Sequence, residues 1–383
     1  MTRPHIEALT ALRFFAALLV VFFHHGQAQF SGAPVWCQNI VRGGYVGVPF
    51  FFILSGFILT YSYAPQAPRL PARNFWVARL ARIYPVYAFA LLVSAPLFLG
   101  GLAETGSYES LTSRFLVQLT TNFGLLQAWS PSLAFAWNGP GWSLSVEAFF
   151  YLTFPILLNR LTGRTRCLLL LGLVGLAGLG RLCFGGQSLG AVQRILGWAN
   201  PLLWFPLFLL GMVVGERFLA RPRTEAAPSP LVADVGSVFL MAVIGIILAL
   251  NLQRFSQLFF CYLVAVPCTL LIYQIATVRG LVGACLGWRP LVLMGEASYS
   301  LYILHRPVHD WFKWMHREWG LLSTDTLAGF WLYLILCLAL SVLTLKAIEY
   351  PCRDWIKRRF GSRAGQPAVI PLANRGVGYP ATT

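Results

Sequence analysis

Charged residues are scarce in this chain. Asp, Glu, Lys and Arg make up 11% of its 383 residues, whereas a soluble domain carries about 25%. That shortage excludes an ordinary soluble enzyme. Cysteines number eight and none forms a CxxC pair. Most fall within apolar runs, where a thiol behaves as a small apolar group, so neither a disulfide framework nor a zinc site is expected. Nor is a cleavable leader expected. The first apolar run contains Arg13 and His24 and is followed by many others, which reads as a retained helix. No internal repeat is visible, and no appended soluble domain is expected.

What the chain does have is apolar length. Hydrophobic residues reach 57%, in runs near residues 7–25, 44–63, 83–101, 142–159, 166–184, 198–219, 232–251, 257–276, 289–312 and 327–348. The runs predict an all-α, polytopic integral membrane protein of about ten transmembrane helices. A further patch, Phe115 to Trp129, is short and broken by Gln118, Thr120, Thr121 and Asn122, which predicts a re-entrant or interfacial segment. Residues 1–360 are expected to form one transmembrane domain. Residues 361–383, rich in Gly, Pro and Ala, are expected to be a disordered cytoplasmic tail. Gly211 and Gly215 form a GxxxG whose expected role is helix packing.

The net charge of +16 invites a nucleic-acid reading, but its distribution points elsewhere. With the N-terminus inside, twenty basic residues fall in inner segments, six in outer segments and three within spans. This is the positive-inside pattern. It places both termini in the cytoplasm and makes membrane lipid, not nucleic acid, the partner.

Ionisable groups inside spans are functional candidates, because a charge there costs at least ~2.5 kcal/mol on insertion scales. Arg13 and His24 lie three turns apart on one face of the first span, separated by roughly 16 Å. Arg79 and Arg82 are neighbours on one helical face at the inner mouth of the third span. Paired guanidiniums suit phosphate groups, although a plain topology anchor would look the same. The fourth span opens with Trp142 and Ser143 and carries Glu147 near its outer end. A carboxylate there must be paired, hydrogen-bonded or neutralised. Tyr302 and His305 fall toward the outer end of the ninth span. Phosphate recognition is therefore expected inside and acid/base chemistry further out. The segment Gly101 to Gly141 is the outer element best suited to meet a substrate.

Taken in order, these segments resemble the acyltransferase-3 family of membrane O-acyltransferases acting on sugars. The resemblance rests on Arg13-x10-His24, Gly47-Val48 with Phe51-Phe52 and Leu54-Ser55-Gly56-Phe57, and Arg79-x-x-Arg82 with Tyr84-Pro85. It continues through Trp142-Ser143-Leu144, Glu147, Tyr151 and Pro155, then Ser298, Ser300-Leu301-Tyr302 and His305, and closes on Glu349-Tyr350-Pro351-Cys352-Arg353. Pro49 departs from it, standing where many relatives carry an acidic residue.

The resemblance implies a bacterial inner-membrane enzyme using acetyl-CoA or another acyl-CoA as donor and a carbohydrate or glycoconjugate as acceptor, without a metal. His24 would be the general base, oriented by Glu147. Tyr302 or Ser143 would serve the oxyanion, Trp142 and Ser143 would face the acceptor, and Arg79 with Arg82 would hold the donor phosphates. Arg13 would contact the donor or a buried carboxylate, and His305 would join the catalytic group. Some members carry a fused extracytoplasmic hydrolase-like domain. This chain would act alone or with a separate extracytoplasmic partner. The competing reading is a transporter or flippase of a polysaccharide precursor, since intramembrane Arg, His and Glu also mark solute and proton paths.

Overall fold

The computed structural model describes residues 6–103, 108–172, 197–222, 229–250, 257–277 and 280–360. These residues are helical and include no strand. In chain order the elements are α1 (Glu7–Val21), α2 (Val35–Arg42), α3 (Gly47–Tyr63), α4 (Ala72–Ala103), α5 (Tyr108–Phe123) and α6 (Trp142–Arg160). They continue with α7 (Pro201–Ala220), α8 (Pro230–Ala249), α9 (Gln257–Thr277), α10 (Leu281–Leu286), α11 (Arg289–Trp319), α12 (Leu327–Thr344) and α13 (Tyr350–Phe360). Among the described residues, eight helical stretches are long and apolar enough to cross a membrane. The chain is an all-α polytopic membrane protein.

Two expected spans differ from those eight. The run 166–184 falls largely outside the described residues. Helix α11, with 31 residues, is long enough to span but carries Glu296, Arg306, His309 and Asp310. Its polarity follows from its position, since α11 is packed between α1, α4 and α12 and not against lipid. Helix α8 is the opposite case. Leu231, Val235, Phe239 and Ile246 are all exposed, which is the outward face of a lipid-bathed helix.

Close approach of helices depends on small residues, because lipid tails supply no hydrophobic drive between spans. Gly47 starts α3 directly beneath the carbonyl of Ala16 on α1, and Gly211 of α7 lies against the carbonyl of Ile53 on α3. A methyl group at Gly47 would press on Ala16 backbone that cannot swing away. Gly47→Ala is therefore expected to cost about 1–3 kcal/mol and to lower the thermal midpoint in detergent. Gly100→Ala has open space around it and should be neutral.

Helix α4 has 32 residues, about 48 Å at 1.5 Å per residue, and so projects well beyond a hydrocarbon core of about 30 Å. Helix α5 runs back along its outer half. The carbonyls of Phe123 and Asn122, at the end of α5, accept hydrogen bonds from Tyr84 (3.1 Å) and Tyr87 (3.0 Å) of α4. From there residues 124–141 take an irregular path before α6 begins. Gln127 spans this path, its amide donating to the Tyr87 hydroxyl and to the Gly141 carbonyl at 2.9 Å each. Irregular backbone at this depth is tolerated because protein side chains satisfy it. The expected re-entrant segment thus takes the form of a descending helix and a turn. Its consequence is that α6 starts below the outer ends of α4 and α11.

Candidate active site

Two short π-helical turns mark the two polar regions of the fold. Phe22–Gly26 carries His24 and His25, and Leu345–Glu349 carries Glu349. A π-turn widens the helix and re-aims its side chains, a distortion found mostly at functional sites.

At the first turn, His24 meets His305 of α11. About 25 Å of helix separates Glu7 from His24, and about 24 Å separates Arg289 from His305, so the two imidazoles arrive at one level. His24 Nδ1 lies 3.0 Å from the carbonyl oxygen of Val20 and 3.3 Å from His305 Nε2. His305 Nδ1 lies 2.6 Å from the carbonyl oxygen of Tyr302. A carbonyl only accepts, so in the neutral rings both Nδ1 atoms carry the proton. The Nδ1–H of His24 is shared between Val20 and His305, and its Nε2 is left unprotonated. His24 keeps exposed ring surface and lines a cavity of about 120 Å³, while His305 is fully buried.

Tyr302 and Trp142 line the same cavity. The Ser143 hydroxyl is within donating distance of Tyr302 Oη (2.8 Å) and of the Pro140 carbonyl (3.1 Å), and Tyr302 Oη reaches that carbonyl at 3.2 Å. The loop before α6 is pinned to α11 by Asn138, whose amide donates to the Ile303 carbonyl at 3.0 Å. The structure therefore brings His24, His305, Tyr302, Ser143 and Trp142 together.

Glu147 is not with them. Its carboxylate accepts hydrogen bonds from Ser55 (3.2 Å) and from Tyr151 on its own helix. The expectation that it orients His24 is corrected: His305 and the Val20 carbonyl occupy that position. The reason is depth. Because α6 starts beneath the outer surface, Glu147 lies about 7.5 Å further in than Trp142. It stands between the two polar regions, interacting electrostatically with Arg13 and Arg79 on one side and Tyr302 on the other.

Arg13 belongs to the second region. It lines a cavity of about 60 Å³ with Arg82, Arg353, Glu296 and Glu349. Arg79 points aside from that cavity, donating to Tyr63 Oη at 3.2 Å and packing over the Tyr63 and Phe75 rings. Arg79, Arg82 and Arg353 all act electrostatically on Lys357, so this end of the bundle is strongly basic. The arginine pair thus shares a region but not a cavity.

Sequence reasoning missed the roles of Glu296, His25 and His309. His25 stacks on His309 with ring centroids 3.7 Å apart, and its ring lies 5.5 Å from that of His305. His25 sits next to His24, and His309 lies one turn beyond His305 on the same face of α11. That four-residue spacing was a readable signal.

A sequence profile described as an acyltransferase domain matches residues 6–346. The chain is 28% identical to the acyltransferase MdmB of Streptomyces mycarofaciens, over 92% of this chain and 93% of that protein. It is 26% identical to YrhL of Bacillus subtilis, whose name provisionally assigns it peptidoglycan O-acetylation, over 79% of this chain and 48% of that one. It is 24% identical to the O-acetyltransferase OatA of Staphylococcus aureus, over 79% of this chain and 50% of that one. The chain spans about half the length of the last two. No solved structure matches it.

Proposed function

Because the chain belongs to the acyltransferase-3 family, we propose that it moves an acyl group, acetyl first among them, from a cytoplasmic acyl-CoA to a hydroxyl of a carbohydrate or glycoconjugate at the outer face of a bacterial inner membrane. The observation that carries this reading is the His24–His305 pair, in which His24 lines a cavity and its Nδ1 is taken up by Val20 and His305.

In this mechanism the acceptor hydroxyl attacks the thioester carbonyl carbon while His24 Nε2 takes its proton, an assistance worth ~10²–10⁴-fold. The charge gained by the ring is stabilised through Nδ1–H, which faces the Val20 carbonyl and His305 Nε2. This is the supporting role a carboxylate plays in a triad. Tyr302 donates a hydrogen bond to the oxyanion and keeps its proton, once Ser143 turns to the Pro140 carbonyl and takes over that contact. Collapse breaks the C–S bond, and the imidazolium returns its proton to the leaving thiolate. Atoms and charge balance within one turnover.

The basic end, with Arg79, Arg82, Arg353 and Lys357, is where the donor phosphates bind. The two cavities share no lining residue, so entry of the donor arm requires the Ser55–Glu147–Tyr151 contacts to part. The transporter reading gains no support from two cavities that share no lining residue.

The test is transfer of label from radiolabelled acetyl-CoA to ester-linked acyl on glycan by the purified protein in lipid. Tyr302→Phe should lower kcat about 10²–10³-fold with little change in KM for acetyl-CoA. Arg82→Ala should raise that KM. A glycan that is relocated but never acylated would end the proposal.

A further inference from the structure

The cavity beside His24 is small and its inner walls are rigid. At about 120 Å³ it falls below the ~150 Å³ cavity that accepts benzene. Its inner walls are Val20, Val48, Trp142 and Trp204, at most 7% exposed. Trp142 and Trp204 lie 5.6 Å apart by ring centroids, and both abut Phe52. Trp204 is further tied through its indole N–H to the Trp198 carbonyl at 2.9 Å. Gly47 places Val20 and Val48 side by side by bringing α1 against α3. None of these walls can swing aside to admit a longer group. The outer rim is different, with Phe135 and Gln257 exposed.

We infer that this cavity is an acyl-length gauge, in which Val20, Val48 and Trp142 admit an acetyl group and reject longer or branched chains, while the acceptor hydroxyl enters past Phe135 and Gln257. The inference rests on the acyl-CoA reading above and adds to it the residues that select the acyl group. A group of fewer than about six heavy atoms fits the volume. Two of those positions go to the attacking oxygen and its carbon. The remainder, three at most, holds a carbonyl and one further carbon. An apolar wall discriminates one methylene by about 10–200-fold, and here the inner walls, Val20, Val48, Trp142 and Trp204, are aromatic or β-branched.

The experiment measures kcat/KM for acetyl-, propionyl-, butyryl- and hexanoyl-CoA with one acceptor, using the full chain in lipid. Wild type should fall at least tenfold from acetyl- to propionyl-CoA. Val48→Ala should raise the butyryl-to-acetyl ratio about tenfold or more, and Val20→Ala should do the same if Val48→Ala fails to yield monodisperse protein. Val21→Ala is the control. Val21 is equally buried but packs against Phe330 and Tyr333, away from the cavity, and should leave the ratio unchanged. The gauge is overturned if wild type takes hexanoyl-CoA as readily as acetyl-CoA, or if the cavity variants and Val21→Ala shift the ratio alike. Failure of wild type with every acyl-CoA would overturn the donor reading, and the gauge with it. Loss of chain-length selectivity alone would leave that reading standing.

Discussion

Alanine at His24 is expected to lower kcat for acyl transfer by about 10²–10⁴-fold while acyl-CoA still binds with near-native affinity. The base is lost, but the basic end of the bundle, about 16 Å away along α1, is untouched. Rapid-mix kinetics with a separate measurement of acyl-CoA binding would show this as a split between kcat and Kd. His305→Ala should also slow the reaction, but less. It leaves His24 Nδ1–H with the Val20 carbonyl alone, so the ring keeps its tautomer and loses one of two acceptors for its positive form. A His24→Ala protein that transfers acyl groups at the wild-type rate would remove the imidazole from the reaction altogether.

The second large effect concerns folding. Glu349 is 1% exposed and faces Arg82, Arg13 and Arg353. It reaches them because the π-turn ending α12 directs it inward. Glu349→Ala leaves those partly buried guanidiniums with Glu296 as the other carboxylate of the cavity. Removing one partner from a fully buried pair costs about 3–5 kcal/mol, and because these guanidiniums are only partly buried the loss is smaller. We expect a clear drop in the thermal midpoint in detergent and poor yield of folded protein. Glu349→Gln, which keeps the shape and one accepting oxygen, should lose less. Equal midpoints for wild type and Glu349→Ala would mean that the arginines are balanced elsewhere.

The candidate site was legible to an unequal degree. His24, Tyr302, His305, Trp142 and Ser143 could be chosen from the sequence because polar groups inside apolar spans are costly and must be used. Their convergence could not be read, since it depends on where α6 begins. The descent of α5 and the turn through Gln127 lower the start of α6. That shift brings Ser143 level with Tyr302 and carries Glu147 past His24. Spacing also put Arg79 and Arg82 on one face, yet α4 meets Tyr63 at one position and the Arg13 cavity at the other.

What the sequence determined by itself was the membrane, the helices and the presence of ionisable residues inside the apolar spans, because hydropathy and charge act locally along a chain. Pairing was decided only by tertiary structure. Which imidazole faces which, and which carboxylate answers which arginine, depends on helix depth and on π-turns, and these are set by packing between segments hundreds of residues apart.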